Sequence, residues 1–225
     1  MNSKPKIAVI GRGLVAQQVI DIVKPDTVFT SSNILELSKT AWDTIYCAAP
    51  SGNRIWAKQH PILDKSNVWQ IINECAITKF QRFVLFSTCD TQVNSDSAYG
   101  HNRLQLENWA KTLPNSSIIR LPSLIHTTIT KNMLYDIKHN CWLDKINPNN
   151  QLQWFDLSLL KDWIMSGERE VNVCSEPVLA QDILAEFAPA VLEKLDYTRK
   201  GDVYDLKPYS YTREEIFASI SEYFK

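Results

Sequence analysis

The residues best suited to chemistry lie between Thr88 and Arg103. Tyr99 and Arg103 occupy positions i and i+4 of a predicted helix, so their side chains share one face. A tyrosine with a pKa near ~10 is a poor base at neutral pH, but a neighbouring cation lowers that pKa by stabilising the phenolate. Thr88 ends a predicted strand and can place its hydroxyl beside the tyrosine. The set predicts a proton relay for oxidising or reducing a carbinol carbon beside a nicotinamide.

Each of these residues also has a purely structural interpretation. Tyr99 can be the first buried aromatic residue of an amphipathic helix, and Thr88 can bond the backbone at a strand end. Arg103 can form a surface salt bridge with Glu107 at i+4, a contact worth only about 0.3–0.5 kcal/mol. Asp90, between the threonine and the tyrosine, is interpreted as a turn residue.

A glycine turn near the N-terminus predicts nucleotide binding. The apolar run Lys6–Ile10 leads into Gly11-Arg12-Gly13-Leu14-Val15-Ala16 and then into an amphipathic stretch. Gly11 allows a tight turn, Gly13 lets the backbone approach phosphates, and Ala16 lets helix pack close to strand. The helix N-terminus offers N–H groups to a pyrophosphate. A strand–turn–helix with no ligand is the alternative.

The end of the next strand bears on the choice of cofactor. NAD-specific folds usually place Asp or Glu there, whereas this sequence has Ser31-Ser32-Asn33. Together with Arg12, these groups can accept a 2′-phosphate, which favours NADP slightly over NAD. The alternative is that Asn33 is an ordinary N-cap of the following helix.

The elements that must position these residues alternate regularly between strand and helix. Five strands are expected before residue 125, with helices between them, as in a doubly wound, Rossmann-type α/β fold. The segments that predict these elements are 6–10, 26–30, 43–48, 80–86 and 117–121 for strands, and 14–23, 33–39, 61–78 and 98–111 for helices. Residues 1–125 are therefore expected to form a dinucleotide-binding core.

The remaining residues, 126–225, are less regular and predict a small α/β annex for the substrate, interleaved with the core in one compact unit. Helices are expected over 158–165 and 178–187, with a short strand over 170–174. A capping box, Thr212-x-x-Glu215, opens a last helix that reaches Phe224.

Composition restricts the class of protein. The 225 residues are 44% hydrophobic and 22% charged, with a net charge of −1, which gives no case for nucleic acid or a membrane surface as partner. No apolar run approaches the ~20 residues of a membrane span. Five scattered cysteines without CxxC pairing favour a reducing cytoplasm and give neither a disulfide framework nor a metal site.

Taken together, the motifs resemble the extended short-chain dehydrogenase/reductase superfamily, the NAD(P)-dependent epimerases, dehydratases and reductases of nucleotide sugars. The resemblance covers nearly the whole chain. It rests on the glycine turn, the strand-end Ser87-Thr88 and the Tyr-x-x-x-basic helix. It also rests on five further segments: Ile45–Ala49 with its alanine pair, Pro61-x-x-Asp64-x-x-Asn67-Val68, Arg120–Leu124, Lys131-Asn132 and Val171–Val178. The resemblance implies that Tyr99 is the general acid/base, that Thr88 positions the reacting oxygen, and that Arg103 replaces the lysine that holds the nicotinamide ribose.

The resemblance also assigns binding residues. Those expected to contact the cofactor are Gly11, Arg12, Gly13, Leu14, Val15, Ser31, Ser32, Ala48, Ala49, Tyr99, Arg103, Pro122 and Leu124. Thr88 and Asn132 are expected to contact the substrate, Asn132 through its phosphates, although Asn132 can equally cap a helix. Dehydratases of this group carry Asp-Glu after the threonine, so Cys89-Asp90 disfavours a dehydratase. The resemblance also allows a homodimer.

Two functions follow from these observations. The first is an NAD(P)-dependent oxidoreductase or epimerase that acts on a sugar nucleotide or a similar hydroxylated small molecule. The second is a non-catalytic NAD(P)-binding sensor or scaffold protein.

Overall fold

The computed structural model of the protein describes residues 4–225, which form two compact units. The first unit runs to Arg120 and includes Leu159–Val171, and the second contains Leu121–Ser158 and Asn172–Lys225. The expected boundary at residue 125 is therefore late, and the expected annex loses a segment to the core. The reason is that this segment supplies one more helix and one more strand to the first unit.

The first unit follows the predicted alternation of strands and helices. Its elements up to Leu121 are β1 (Ile7–Ile10), α1 (Leu14–Val23), β2 (Thr27–Phe29), a 3-10 helix (Ile34–Lys39), β3 (Trp42–Cys47), α2 (Arg54–Gln59), α3 (Pro61–Ile77), β4 (Phe80–Thr88), α4 (Asp90–Val93), α5 (Ala98–Lys111) and β5 (Ser116–Leu121). The short helices α2 and α4 were not expected, because neither is long enough to show a helical period.

The second half of the chain contains shorter elements. They are β6 (Ser123–Ile125), α6 (Met133–Lys138), a 3-10 helix (Leu143–Lys145), β7 (Gln151–Leu152), β8 (Trp154–Asp156), a 3-10 helix (Leu157–Leu159), α7 (Leu160–Ser166), β9 (Glu170–Asn172), β10 (Val178–Leu179), α8 (Ala180–Phe187), α9 (Pro189–Leu192) and α10 (Arg213–Phe224). The capping box of α10 is present as predicted, with Thr212 and Glu215 bonded reciprocally.

A six-stranded sheet in the order β2-β1-β3-β4-β5-β9 organises the first unit. The pairs β1–β2, β1–β3 and β3–β4 are parallel. Strand order reverses between β1 and β3, and open α/β sheets bind their ligands at the carboxyl ends of the strands beside such a switch point. The predicted Rossmann-type fold is confirmed.

Burial on both faces of the sheet explains why its strands are apolar throughout. Ala8 and Ile10 of β1 belong to one hydrophobic cluster with residues of α3 and α5, whereas Val9 between them is buried on the opposite face. On that opposite face α1 buries Ala16 and Val19. Parallel strands covered on both sides are typical of this fold class.

The strand β9 ends the sheet beside β5, although it was predicted to lie in the annex. The Ile118 N–H donates to the carbonyl of Arg169, 2.9 Å away, and α7 packs on α1. The second unit has its own core, in which Trp154, Ile183 and Ile216 are buried together. Two small two-stranded sheets, β6–β8 and β7–β10, support that core. Among the helices of residues 4–225, none combines the length and the apolar character needed to cross a membrane.

Candidate active site

The glycine turn connects β1 to α1 at the switch point of the sheet. Gly11 has a φ of +126°, and a Cβ added there would lie 2.7 Å from the carbonyl oxygen of Ala48. The Gly11 N–H donates to Phe29, and the Ala48 N–H donates to Ile10, both at 2.8 Å. Only glycine fits here, because the turn is pressed against the end of β3. Ala48, which follows β3, therefore lies beside the turn, and Ala49 is the next residue along the chain.

The N-terminus of α1 is open toward an anion. Gly13 is the N-cap, and a Cβ added to it would meet no heavy atom within 4 Å. The first turn, which begins with Leu14 and Val15, contains no acidic residue, and the first N–H groups of a helix have no partner within the helix. The turn therefore fits the pyrophosphate of a dinucleotide at its predicted place.

The residues proposed for a 2′-phosphate follow neighbouring strands. Ile10 lies opposite Phe29 in the parallel ladder, and Arg12 and Ser31 each come two residues after that pair. Arg12, Ser31 and Ser32 are exposed to solvent. The carboxyl ends of β1 and β2 thus present one cation and two hydroxyl-bearing residues at the same edge of the sheet.

The side chain of Asn33 bonds to β2 and the residue after it, and not to the following helix as the N-cap alternative implied. Its side-chain oxygen accepts from the Thr30 N–H at 2.6 Å, and its amide nitrogen donates to the carbonyl of Val28 at 3.2 Å. The side chain makes no capping bond to the following 3-10 helix. Asn33 therefore stands at the N-cap position of the 3-10 helix, but its side chain closes the turn after β2 instead of capping the helix.

Tyr99 and Thr88 meet as the sequence predicts. The helix α5 begins at Ala98 because the Ser97 hydroxyl accepts from the Gly100 N–H at 3.0 Å. Tyr99, one residue into this helix, is only 9% exposed, and its hydroxyl is hydrogen-bonded to that of Thr88 at the end of β4. A Cβ added to Gly52 would lie 3.7 Å from the same hydroxyl, so the segment after β3 passes beside it.

Arg103 is held by an ion pair that the sequence did not suggest. Its two terminal nitrogens donate to the two carboxylate oxygens of Asp64 in α3, at 2.8 and 3.0 Å, and one also donates to the Ser51 carbonyl at 2.7 Å. The guanidinium carbon lies 4.4 Å from the centre of the Tyr99 ring. Tyr99 and Arg103 share a helix face as predicted, but the alternative salt bridge between Arg103 and Glu107 is wrong.

The pKa of Tyr99 is raised overall by burial, although Arg103 contributes the lowering that the sequence predicts. Burial is the largest cause, because a phenolate loses its hydration there. Asp90 raises the pKa further, whereas Arg103, the hydrogen bond from Thr88 and the charge of Arg54 lower it. The cation of Arg103 is shared with Asp64 and does not overcome the cost of burial.

Asp90 is a buried member of this site, not the turn residue that the sequence suggested. It is the first residue of α4, and its side chain is 7% exposed. One carboxylate oxygen lies 3.2 Å from a terminal nitrogen of Arg54, and the other accepts from the Thr88 hydroxyl at 3.3 Å. In the sequence, only the two-residue spacing between Thr88 and Asp90 could have indicated that Asp90 belongs to the site. Its other partner, Arg54, is distant in the sequence.

A second buried ion pair supports the segment that carries Thr88. Glu107 is fully buried and accepts from Arg120 of β5, whose closest nitrogen is 2.6 Å away. The same carboxylate accepts from the hydroxyls of Ser87, at 2.5 Å, and Thr91, at 2.9 Å. Because Ser87 and Thr91 flank Thr88, this pair fixes the end of β4 from both sides.

The remaining predicted residues belong to the second unit. Pro122 directly precedes β6 and Leu124 is its middle residue; the strand pairs in parallel with β8. Asn132 caps α6: its side-chain oxygen accepts from the Tyr135 N–H at 3.0 Å, and its amide nitrogen donates to the Leu124 carbonyl at 2.8 Å. The capping interpretation of Asn132 is confirmed, and its contact with a substrate stays a prediction.

The sequence matches no protein-family model and no curated protein. The fold, in contrast, is similar to that of several solved enzymes. The NAD-dependent NDP-hexosamine 5,6-dehydratase TunA, involved in tunicamycin biosynthesis, superposes with a TM-score of 0.66 at 15% identity, over 91% of this chain and 86% of that one. The UDP-N-acetylglucosamine 4-epimerase of Bacillus cereus superposes with a TM-score of 0.64 at 14% identity, over 90% of this chain and 87% of that one.

A third similar structure is the UDP-glucose 4-epimerase of Thermotoga maritima, crystallised with UDP-glucose. Its TM-score is 0.63 at 9% identity, over 93% of this chain and 86% of that one. These identities are low, so the likeness concerns the fold. The resemblance identified from the motifs is confirmed at that level: the chain has the Rossmann-type fold of the NAD-dependent epimerases and dehydratases.

Proposed function

We propose that the protein is an NAD(P)-dependent oxidoreductase or epimerase that acts on a sugar nucleotide or a similar hydroxylated small molecule. The observation that carries this proposal is the hydroxyl pair of Thr88 and Tyr99, at the carboxyl end of β4 in the sheet whose β1 ends in an open glycine turn. The nicotinamide, when bound, supplies or takes up a hydride at the carbinol carbon. Similar structures that act on UDP-sugars and NDP-hexosamine support the substrate class.

In this proposal, different residues bind the cofactor, orient the substrate and transfer the proton. Gly11, Gly13 and the first N–H groups of α1 hold the pyrophosphate. Thr88 orients the reacting oxygen, and Tyr99 gives or takes its proton. Arg103 fixes the ring of Tyr99 through its contact with the aromatic face, while its expected contact with the nicotinamide ribose stays a prediction.

A test of this function measures hydride transfer directly. Cofactor deuterated at the reactive carbon is incubated with the purified protein and a panel of nucleotide sugars, and label is followed by mass spectrometry. We expect stereospecific transfer to or from at least one substrate of the panel. An epimerase returns the hydride to the carbon it came from and moves no cofactor label, so the products are also analysed for epimers of each substrate. A protein that binds the cofactor but neither moves label nor forms an epimer with any substrate would contradict the proposal.

One observation favours the second candidate, a non-catalytic NAD(P)-binding sensor or scaffold. The cation expected to activate Tyr99 is paired with Asp64, and the pKa of Tyr99 is raised. A sensor needs the pyrophosphate site but not a reactive tyrosine. Saturable cofactor binding without label transfer and without epimer formation would support this candidate, and either reaction would exclude it.

The cofactor preference is tested by titration with NADPH and NADH. We expect NADPH to bind more tightly, because Arg12, Ser31 and Ser32 are exposed at the edge where the 2′-phosphate is expected. Replacing Arg12 by Ala should weaken NADPH binding about 10-fold, which corresponds to ~1.4 kcal/mol, and leave NADH binding nearly unchanged. The matched control is Lys24→Ala, at the opposite end of α1. Tighter binding of NADH by the unchanged protein would contradict the preference.

A further inference from the structure

The hydroxyl pair of the proposed active site continues into an ion pair that nothing in the proposed function uses. The Thr88 hydroxyl contacts one carboxylate oxygen of Asp90 at 3.3 Å. The other oxygen lies 3.2 Å from Arg54 and accepts from Asn94 at 3.1 Å. The Asp90 side chain is 7% exposed and that of Arg54 is 48% exposed. Polar contacts therefore lead without a break from the buried phenol of Tyr99 to a guanidinium in contact with solvent.

The bonding capacity of Thr88 gives this chain of contacts a direction. A threonine hydroxyl has one proton to donate and two lone pairs that accept. The backbone N–H of Asp90 donates to the Thr88 oxygen at 3.3 Å and uses one lone pair. An ionised Asp90 only accepts, so the proton of Thr88 points to its carboxylate. The second lone pair is then left for the hydroxyl of Tyr99. With Tyr99 protonated, each hydroxyl therefore donates toward Asp90. An ionised Tyr99 would instead accept from Thr88, which is why this hydrogen bond lowers the pKa of Tyr99.

We propose that Asp90 is the proton acceptor of Tyr99, with Thr88 as the relay between them and Arg54 as the residue that positions the Asp90 carboxylate. This inference rests on the proposed function, because it explains how Tyr99 is made ready for the next proton. In this relay Thr88 acts on the reacting oxygen through Tyr99, because its proton and both lone pairs are already used. The unexpected helix α2 gains a place in the site through Arg54.

The step balances without a further reactant. As a substrate hydroxyl gives its proton to the Tyr99 oxygen, the phenol proton passes to the Thr88 oxygen, and the Thr88 proton passes to Asp90. Three O–H bonds break and three form, the carboxylate becomes a neutral acid, and no electrons move within the relay. Asp90 then releases its proton to solvent. In the reducing direction, every proton moves the opposite way.

A relay also explains how Tyr99 can lose its proton although its pKa is raised. Because burial raises the pKa of Tyr99, the resting side chain keeps its proton and needs a base that removes it as another arrives. The charged groups around it are Arg103 from α5, Asp90 from α4 and Arg54 from α2, with Asp64 from α3 paired to Arg103. Of the two carboxylates in this set, Asp90 is bonded to Thr88, whereas Asp64 holds Arg103.

The relay is tested in the cofactor-free protein by the exchange of the Tyr99 hydroxyl proton with solvent. In mixed H2O and D2O, the Cζ signal of 13C-labelled tyrosine reports that exchange by NMR, and the signal lost in Tyr99→Phe assigns it. We expect Asp90→Asn and Thr88→Val to slow the exchange by about 10-fold or more, because the base or the relay is missing. Thr88→Ser keeps a hydroxyl and should exchange like the unchanged protein. Asp96→Asn, an exposed carboxylate of the same connection, is the matched control.

Arg54 is tested as a positioning residue by the same measurement. Arg54→Gln should slow the exchange, and Arg54→Lys should restore most of it by returning a cation to Asp90. Exchange that is equally fast in Asp90→Asn, Thr88→Val and the unchanged protein, with each variant folded by its amide spectrum, would overturn the relay. Because no cofactor or substrate is present, this result is independent of whether the protein transfers a hydride.

Discussion

Replacing Tyr99 by Phe is expected to lower the rate of hydride transfer by about 10²–10⁴-fold, the usual contribution of one general acid/base. The substitution removes only the hydroxyl that meets Thr88. The ring remains buried and remains beside the Arg103 guanidinium, so the fold and the cofactor affinity should not change. The rate is measured with labelled cofactor, and the affinity is measured by titration.

The matched control for this experiment is Tyr46→Phe. Tyr46 lies in β3 of the same sheet and is buried to nearly the same degree, 8% exposed against 9% for Tyr99. Any general effect of removing a buried phenol should appear in both variants, whereas loss of a proton donor should appear only at position 99. Full activity of Tyr99→Phe would exclude the proposed chemistry.

Replacing Glu107 by Ala is expected to reduce the free energy of unfolding by about 3–5 kcal/mol, because it leaves a buried charge without its main partner. Arg120 is 2% exposed and donates to Glu107 through two nitrogens. A further acceptor of Arg120, Glu170, is partly exposed and also pairs with Lys111. Denaturation by urea, followed by the fluorescence of the tryptophans, measures the loss.

A surface ion pair provides the control for Glu107. Glu36 pairs with Lys39 in the 3-10 helix, where both side chains are more than half exposed. Glu36→Ala should therefore change the free energy of unfolding by only about 0–1 kcal/mol. A similarly small change for Glu107→Ala would show that the buried pair does not stabilise the end of β4.

Local signals in the sequence predicted most of the first unit. The helix α5 spans Ala98–Lys111 as expected, because the cap at Ser97 and the proline at 114 are signals carried by neighbouring residues. The strands of the sheet were recognised for a similar reason, since each is a short apolar run followed by a turn. The face shared by Tyr99 and Arg103 also depends only on helical spacing.

The ion pairs could not be predicted, because they join residues that are far apart in the sequence. The spacing of Arg103 and Glu107 suggested a pair within α5, but Arg103 bonds Asp64, 39 residues away, and Glu107 bonds Arg120 across to β5. Burial then decides the pKa of Tyr99, and burial depends on the packing of several elements. The ion pair between Arg54 and Asp90 could not be predicted for the same reason, because the two residues are far apart in the sequence.

Because residues 159–171 belong to the first unit but follow a segment of the second, the first unit cannot be completed until this later part of the chain has been synthesised. The strand β9 leaves the ribosome after residues 121–158, which belong to the other unit. Until it arrives, β5 is the edge of the sheet, and an open edge is a site at which other chains can pair. During the same interval Arg120 also lacks its ion pair with Glu170, because Glu170 has not yet been synthesised. The nascent first unit is therefore incomplete until more than two thirds of the protein has been made, and during this interval the edge of β5 is open to pairing with other chains.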